Sequence, residues 1–350
     1  MSVIVKEGII NVRKPKGYTS HDCVNVIRSL SGVKRVGHTG TLDPMAEGVL
    51  PICIGSSARI TEYLDLDFKT YRCECLLGIE TDTLDVWGET TADNILETER
   101  LIKNGDLTEE SLTAVLNKFQ GTISQIPPKY SALKVNGRKL YEYARSGEAI
   151  EISSRMVYID DLELKECSLE NRTFSFDVTC SKGTYIRSIC RDIGDMLGCG
   201  ATMSGLTRTA SGAFSIEDAV DIDELKKLKQ GEDVRNPETG KIVQYARALP
   251  EELNEYIIEP DFPLVNFGKI LLSEDRGRWF CNGGYVNKKQ AKIVRKPKYE
   301  KQDAHIEMRD EFRRAYNAYV QNGEEELFLG VAFFDEERQS FKADKVFCRG

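Results

Sequence analysis

The sequence predicts an α+β fold in two parts, and three observations carry that prediction. Some segments place apolar residues at alternate positions, as in Tyr71, Cys73, Cys75 and Leu77, or Phe174, Phe176 and Val178. That is the period of a strand with one buried face. Other segments have the helical period, as in Leu112, Val115, Leu116 and Phe119, or Ile186, Ile189, Ile193, Met196 and Leu197. After about Leu249 the chain changes to alternating acidic and basic blocks with short apolar runs, a second and β-rich part. A chain of 350 residues, 41% hydrophobic, can bury a large core. Its length suggests two domains, placed by the change in character at 1–249 and 250–350.

Residues 8–19 read as a short strand and a basic turn, Arg13-Lys14-Pro15-Lys16-Gly17. Ser20 is the expected N-cap of a helix with Val24, Ile27 and Leu30 on one face, and Gly32 ends it. Ser57 to Leu66 is a further helix with Ile60, Tyr63 and Leu64 inward. The alternating strand Lys69 to Gly78 follows. Gly78 to Asp106 is acidic and turn-rich, a surface excursion. Thr108 caps the next helix and Gly121 closes it. Ile126 to Glu151 starts with Pro-Pro and interleaves Lys129, Lys134, Arg138, Lys139 and Arg145 with Tyr130, Tyr141 and Tyr143. Bases with aromatics between them suit a phosphate backbone with exposed bases, although an amphipathic helix and loop read the same way. The strand Arg172 to Val178 runs through Ser181-Lys182-Gly183-Thr184-Tyr185-Ile186-Arg187 into a helix that Gly198 stops. In the last part, Ile270 to Leu272, Trp279-Phe280 and Leu327 to Phe334 read as strands. Lys288 to Lys301 is basic, and Asp303 to Val320 reads as an inserted helix with Ile306, Phe312, Tyr316 and Val320 as its apolar positions.

Composition narrows the function. Met1 to Ile10 carries Lys6 and Glu7 and lacks the apolar region of a signal peptide, and no run approaches a membrane span. A soluble, cytoplasmic protein is expected. The ten cysteines are scattered without a C-x-x-C pair, as befits small core hydrophobes rather than a zinc site or a disulfide framework. Net charge is -8, but Glu80 to Glu110 alone holds ten acids against two bases, so the remainder is neutral overall. Within it, Met1 to Ile60 has eight bases against four acids, and Lys129 to Arg145 five against one. A polyanion responds to such patches as well as to total charge, though charge runs are more often solvated faces.

The least ordinary stretch is Gly37 to Gly55, GHTGTLDPMAEGVLPICIG. Gly37, Gly40, Gly48 and Pro44 keep a regular helix or central strand out of its first half. Pro44 biases Asp43 towards an extended backbone. Val49 to Ile54 is apolar and reads as a buried strand. An acid on a glycine-rich loop, with a strand behind it, suits an active site; an isolated Asp-Pro is ordinarily just a turn.

The full string resembles the catalytic motif of the TruB-type tRNA pseudouridine synthases, G-H-T-G-x-L-D-P, whose acid is catalytic. Further segments match in order: Tyr71 in a K-x-Y strand, Pro127-Pro128 with Ser131-Ala132-Leu133-Lys134, Ser181 to Arg187 (S-K-G-T-Y-I-R), and Gly198 to Ala201 followed by Leu206-Thr207-Arg208. The resemblance is strong over about residues 8–220. It implies a catalytic domain with a mixed, mainly antiparallel sheet flanked by helices and loops. The weaker likeness of F-L-G-V near 328–331 implies a small PUA-like β-barrel at the C-terminus. It also implies Asp43 as the catalytic residue, Arg187 paired with it, Tyr71 stacked on the target base, Tyr185 lining the pocket and Leu206 packed on the flipped base. His38 would fill the space that the base vacates or touch a phosphate; it could equally hydrogen-bond its own loop. Lys14 of the basic turn, and Lys134 and Arg138 of a mobile RNA-gripping insertion, would contact the tRNA.

The implied reaction turns the T-loop uridine, position 55, into pseudouridine. Nothing leaves and nothing is oxidised, so no cofactor is expected, in keeping with the lack of a Walker loop, a G-x-G-x-x-G or a metal cluster in the sequence. Asp43 could act as nucleophile at the sugar C1′ or uracil C6, or as base at the sugar C2′. The partner is tRNA through its T-arm, without membrane or obligatory protein partner, and a monomer is expected. Two other readings remain open: an RNA-binding, tRNA-folding chaperone with little catalysis, and the related synthase that works inside a guide-RNA complex. The basic insertion favours the stand-alone enzyme.

Overall fold

A computed structural model describes residues 5–66, 68–236, 239, 242–298 and 310–347. The chain forms two compact units, one of residues 1–66 with 211–350 and one of residues 67–210. The fold is α+β, with the mixed sheet and flanking helices that the sequence predicts and a β-rich C-terminal part.

In the first unit, strand Ile9–Lys14 pairs antiparallel with Glu47–Ile54 and parallel with Val220–Asp221. The apolar run at 49–54 is buried along its whole length, as its composition predicts. The short strand Val36–His38 also pairs with it, so the first half of the glycine-rich stretch begins with a piece of sheet edge. The first helix is Ser20–Ser31, and its N-cap is Thr19 rather than Ser20. Thr19 and Asp22 form a reciprocal capping box, and Gly32 closes the helix in the left-handed region at φ 66°. Ser20 is buried instead, with a separate task described below. Residues 55–66 form a 3-10 helix, with Ile60, Tyr63 and Leu64 buried as expected.

The C-terminal sheet runs in the order Tyr285–Asn287, Ser340–Val346, Glu325–Asp335, Ala315–Asn322, Gly268–Leu272, Ala291–Arg295. One pair in it, Gly268–Leu272 with Ala315–Asn322, is parallel. Two expectations fail in this sheet. Trp279 and Phe280 lie in the helix Glu274–Cys281, where Phe280 is buried and Trp279 is 54% exposed. Over the described residues 310–320 the inserted helix is not formed either: a 3-10 turn at Asp310–Arg314 leads into the strand Ala315–Asn322, and residues 303–309, Ile306 among them, lie outside the described residues. One apolar cluster joins Ile9, Val49 and Cys53 to Leu264, Phe267, Phe312 and Val331. The boundary expected at 249 therefore falls inside one compact unit.

In the second unit, Lys69–Leu77, Thr173–Cys180, Arg155–Ser168 and Gly121–Gln125 form an antiparallel sheet, with Ala201–Ser211 beside the first strand. Tyr71, Cys73, Cys75 and Leu77 are all buried, as the alternation predicts. Helix Ile186–Leu197 buries Ile186, Ile189 and Ile193, while Met196 at its last turn is 47% exposed. Of the ten cysteines, seven are buried and free and Cys167 is half-buried and free. Cys281 is disulfide-bonded, so not every cysteine is a plain core residue.

Candidate active site

The expected site residues fall into two sets, one in each unit. In the first unit the loop carrying Asp43 is anchored on both sides of the acid. The hydroxyl of buried Ser20 accepts from Leu42 N at 2.9 Å and donates to Leu42 O at 3.1 Å. On the other side Pro44 O accepts from Gly17 N at 2.8 Å and from Lys14 Nζ at 3.0 Å. Leu42 and Ala46 bury their side chains, and Ala46 N closes a turn onto Asp43 O at 3.1 Å. Asp43 itself is half-buried. The backbone before and after it is thus fixed by side chains from the basic turn and the first helix, which is the pre-organisation a reacting carboxylate needs.

Lys14, expected on the tRNA, is fully buried. Its ammonium donates to the carbonyls of Pro15, Tyr18 and Pro44 at 3.0, 2.5 and 3.0 Å. A buried ammonium must satisfy its three donors within the protein, and these carbonyls do so. In this structure Lys14 braces the Asp43 loop. His38 is half-buried, and its Nδ1 accepts from Gly40 N at 3.3 Å, so it shapes the turn before the acid.

In the second unit, Tyr71 is 9% and Leu206 is 7% exposed on neighbouring strands. Tyr185 is half-buried at the N-cap of the helix Ile186–Leu197, and Arg187 lies in its first turn. Arg187 is 6% exposed. Its Nη1 donates to Thr83 O at 2.9 Å and lies 3.5 Å from the Asp85 carboxylate, and its Nη2 donates to Tyr130 O at 2.9 Å. A guanidinium has a fixed fork of donors, so these partners set its plane as well as its place.

Asp85 is the residue that sequence reasoning missed. The acidic excursion folds back at residues 84–86, with Val86 N donating to Met203 O and Met203 N to Leu84 O. Thr83 Oγ1 donates to Asp85 Oδ1 at 2.7 Å, and Thr81 Oγ1 to Asp85 O at 2.7 Å. The available signal was the run Thr81-Asp82-Thr83-Leu84-Asp85, whose short polar side chains favour local turns.

The insertion is a hairpin, Lys134–Val135 with Arg138–Lys139, followed by the helix Leu140–Ser146. Asn136 and Gly137 take φ 51° and 81°, the Asn-Gly turn that two-residue hairpins favour. Lys129, Lys134 and Arg145 are exposed. Arg138 is engaged within the insertion. It donates to Glu148 Oε1 at 2.8 Å, Ser146 Oγ at 2.9 Å and Glu142 O at 3.0 Å, and lies 4.5 Å above the Tyr143 ring. A groove of about 780 Å³ lies between Ile126–Tyr130, Glu148, Asp82 and Arg191. Among the described residues no group of three or more His, Cys, Asp or Glu side chains is placed to hold a metal ion, and no helix is long and apolar enough to cross a membrane.

Comparison with known proteins gives two adjoining family matches. Residues 28–186 match the N-terminal domain of the TruB family pseudouridylate synthases. Residues 187–253 match the C-terminal domain of tRNA pseudouridylate synthase B. The tRNA pseudouridine synthase B of Clostridioides difficile is 35% identical over 97% of this chain and 99% of its own length. That of Alkaliphilus oremlandii is 48% identical over 80% of this chain and 82% of its own. That of Bacillus subtilis is 49% identical over 64% and 71%. A solved H/ACA RNP bound to a substrate RNA containing 2′-deoxyuridine holds a chain with a TM-score of 0.66 and 20% identity, covering 98% of this chain and 85% of that one. A chain of a Cbf5-Nop10-Gar1 complex gives 0.66 and 22% over 97% and 85%. At that identity these two speak for the fold alone.

Proposed function

The chain belongs to the TruB family of tRNA pseudouridine synthases, a family of isomerases, and we propose that it converts the T-loop uridine of tRNA, position 55, to pseudouridine with Asp43 as the reacting carboxylate. The reaction breaks the N1–C1′ bond, turns the uracil and joins C5 to C1′. The C5 proton is lost and N1 gains one, so substrate and product have the same composition.

The observation that carries this reading is the anchoring of the backbone on both sides of Asp43 by Ser20, Gly17 and Lys14. A loop that only closed a turn would not need a buried hydroxyl and a buried ammonium aimed at it. The target base must leave its stack, which costs on the order of a few kcal/mol. Stacking on Tyr71 returns about 1–3 kcal/mol, and apolar contact with Leu206 adds to it. Arg187 supplies the positive charge that keeps a carboxylate ionised when a base closes over it and excludes water. Tyr185 lines the same pocket, and His38 occupies the space left by the base. The exposed cations of the insertion, Lys134 among them, grip the RNA backbone. Residues 250–350 serve as a PUA-like RNA-binding region, and the protein acts as a monomer in the cytoplasm. Asp43→Asn keeps the size of the side chain and removes its charge. The variant should bind unmodified tRNA as the wild type does and show no turnover; substantial residual turnover would sink the assignment.

A further inference from the structure

We propose that Gln125 is the positioning residue for Tyr185 and Arg187, a latch joining the entry of the insertion to the helix that carries the arginine. Gln125 ends the strand Gly121–Gln125, one residue before the insertion, and its side chain is 1% exposed. Its Nε2 donates to Tyr185 O at 3.0 Å, and its Oε1 accepts from Tyr185 N at 2.8 Å. One amide therefore holds both backbone groups of a single residue, as a neighbouring strand would.

That residue is the N-cap of the helix Ile186–Leu197, and its own side chain makes no capping bond. Helix N-termini leave orphan donors and rely on side-chain caps to fix their entry. Here the amide of Gln125 fixes the entry from outside the helix. Three further bonds run the same way. Ser188 Oγ donates to Ile126 O at 2.9 Å, Arg191 Nη2 donates to the same oxygen at 3.4 Å, and Arg187 Nη2 donates to Tyr130 O at 2.9 Å. Residues 185, 187 and 188 thus all hold the segment 125–130. The bond from Gln125 is the one made to the residue where the helix begins. A rotation of Tyr185 there would carry Arg187, two residues on, away from its partners. The inference rests on Tyr185 and Arg187 being site groups as proposed above.

The test uses the full chain. Gln125→Met keeps the length and loses both bonds; Gln125→Glu loses the donor towards Tyr185 O. Saturating kcat on an unmodified tRNA transcript should fall about tenfold to a hundredfold in both, as for a small misplacement of a catalytic group. KM and tRNA affinity should stay within about threefold, because only positioning is lost. The ratio of Gln125→Glu to wild-type kcat should climb as pH falls, since a protonated carboxyl regains the donor. In the wild-type protein the Tyr185 amide should exchange with solvent as slowly as amides in the sheet core, a measurement that needs no variant to fold. Wild-type kcat in Gln125→Met, a loss of rate matched by an equal loss of tRNA binding, or rapid exchange at Tyr185 would each overturn the latch. Arg187→Lys separates the two levels. If it keeps wild-type kcat, the reading of Arg187 fails; if it collapses while Gln125→Met does not, the latch alone fails.

Discussion

Two cations four residues apart in the insertion differ in what they face. Lys134 is exposed, whereas Arg138 spends its fork on Glu148, Ser146 and Glu142 O and its face on Tyr143. Each cation that neutralises a phosphate releases a counterion and steepens the salt dependence of binding. Lys134→Gln should therefore flatten the plot of log affinity for tRNA against log salt by about one phosphate's worth. Arg138→Gln should leave that slope nearly unchanged and weaken binding by loosening the insertion. Equal losses of slope would show that Arg138 meets phosphate too. The same contrast marks the limit of sequence reading at this scale. Charge and aromatic interleaving pointed to the segment, but only the partners separate a cation aimed at RNA from one that staples its own loop. Lys14 is the same case, a basic-turn residue whose ammonium is buried under the Asp43 loop. Asp85 was hidden because one acid among the ten of Glu80 to Glu110 carries no mark of its own.

Among the elements, the first helix shows how a local device supports the site. Its capping box, Thr19 with Asp22, fixes where the helix begins, and so where Ser20 meets Leu42. Hydrogen bonds from the Thr19 hydroxyl and backbone hold the Asp22 carboxyl below its usual value. A group with a depressed folded value contributes stability above its unfolded value, near 4, and loses it as pH falls through the folded value. Thr19→Ala should cost about 1 kcal/mol at pH 7 and lower the thermal midpoint there. The gap to the wild type should be smaller at pH 3 than at pH 7, because the contribution of the carboxylate half of the box declines once pH drops below the unfolded value. A gap of the same size at both pH values would contradict the reciprocal box. Elements with one clean period were legible in the sequence: the strand at 69–77 and the helices at 109–116 and 186–197 follow their apolar spacing. The strand Ala315–Asn322 was not, for a geometric reason. Phe312, Tyr316 and Val320 are four apart, a spacing that fits a helical face and also one face of a strand. Trp279 and Phe280 have strand propensity, but Ser273 at the N-cap and Glu274 and Asp275 in the first turn favour the helix that forms.

For the molecule as a whole, the motif order made the family readable before any geometry, because the nineteen residues from Gly37 to Gly55 and the string Ser181 to Arg187 are dense in residues of special conformation or charge. Placement by long-range contact was not readable. The pairing of residue 85 with 187, and the clasp of residue 125 on 185, join segments about 60 to 100 residues apart in sequence, and no local period records them. The most direct measurement is to incubate the purified protein, without additives, with an unmodified tRNA transcript and to map pseudouridine by carbodiimide-blocked primer extension, beside Asp43→Asn. A single modified T-loop site in the wild type, absent in the variant, is the predicted result. Tight tRNA binding without modification by either protein would contradict the account and favour an RNA-folding role.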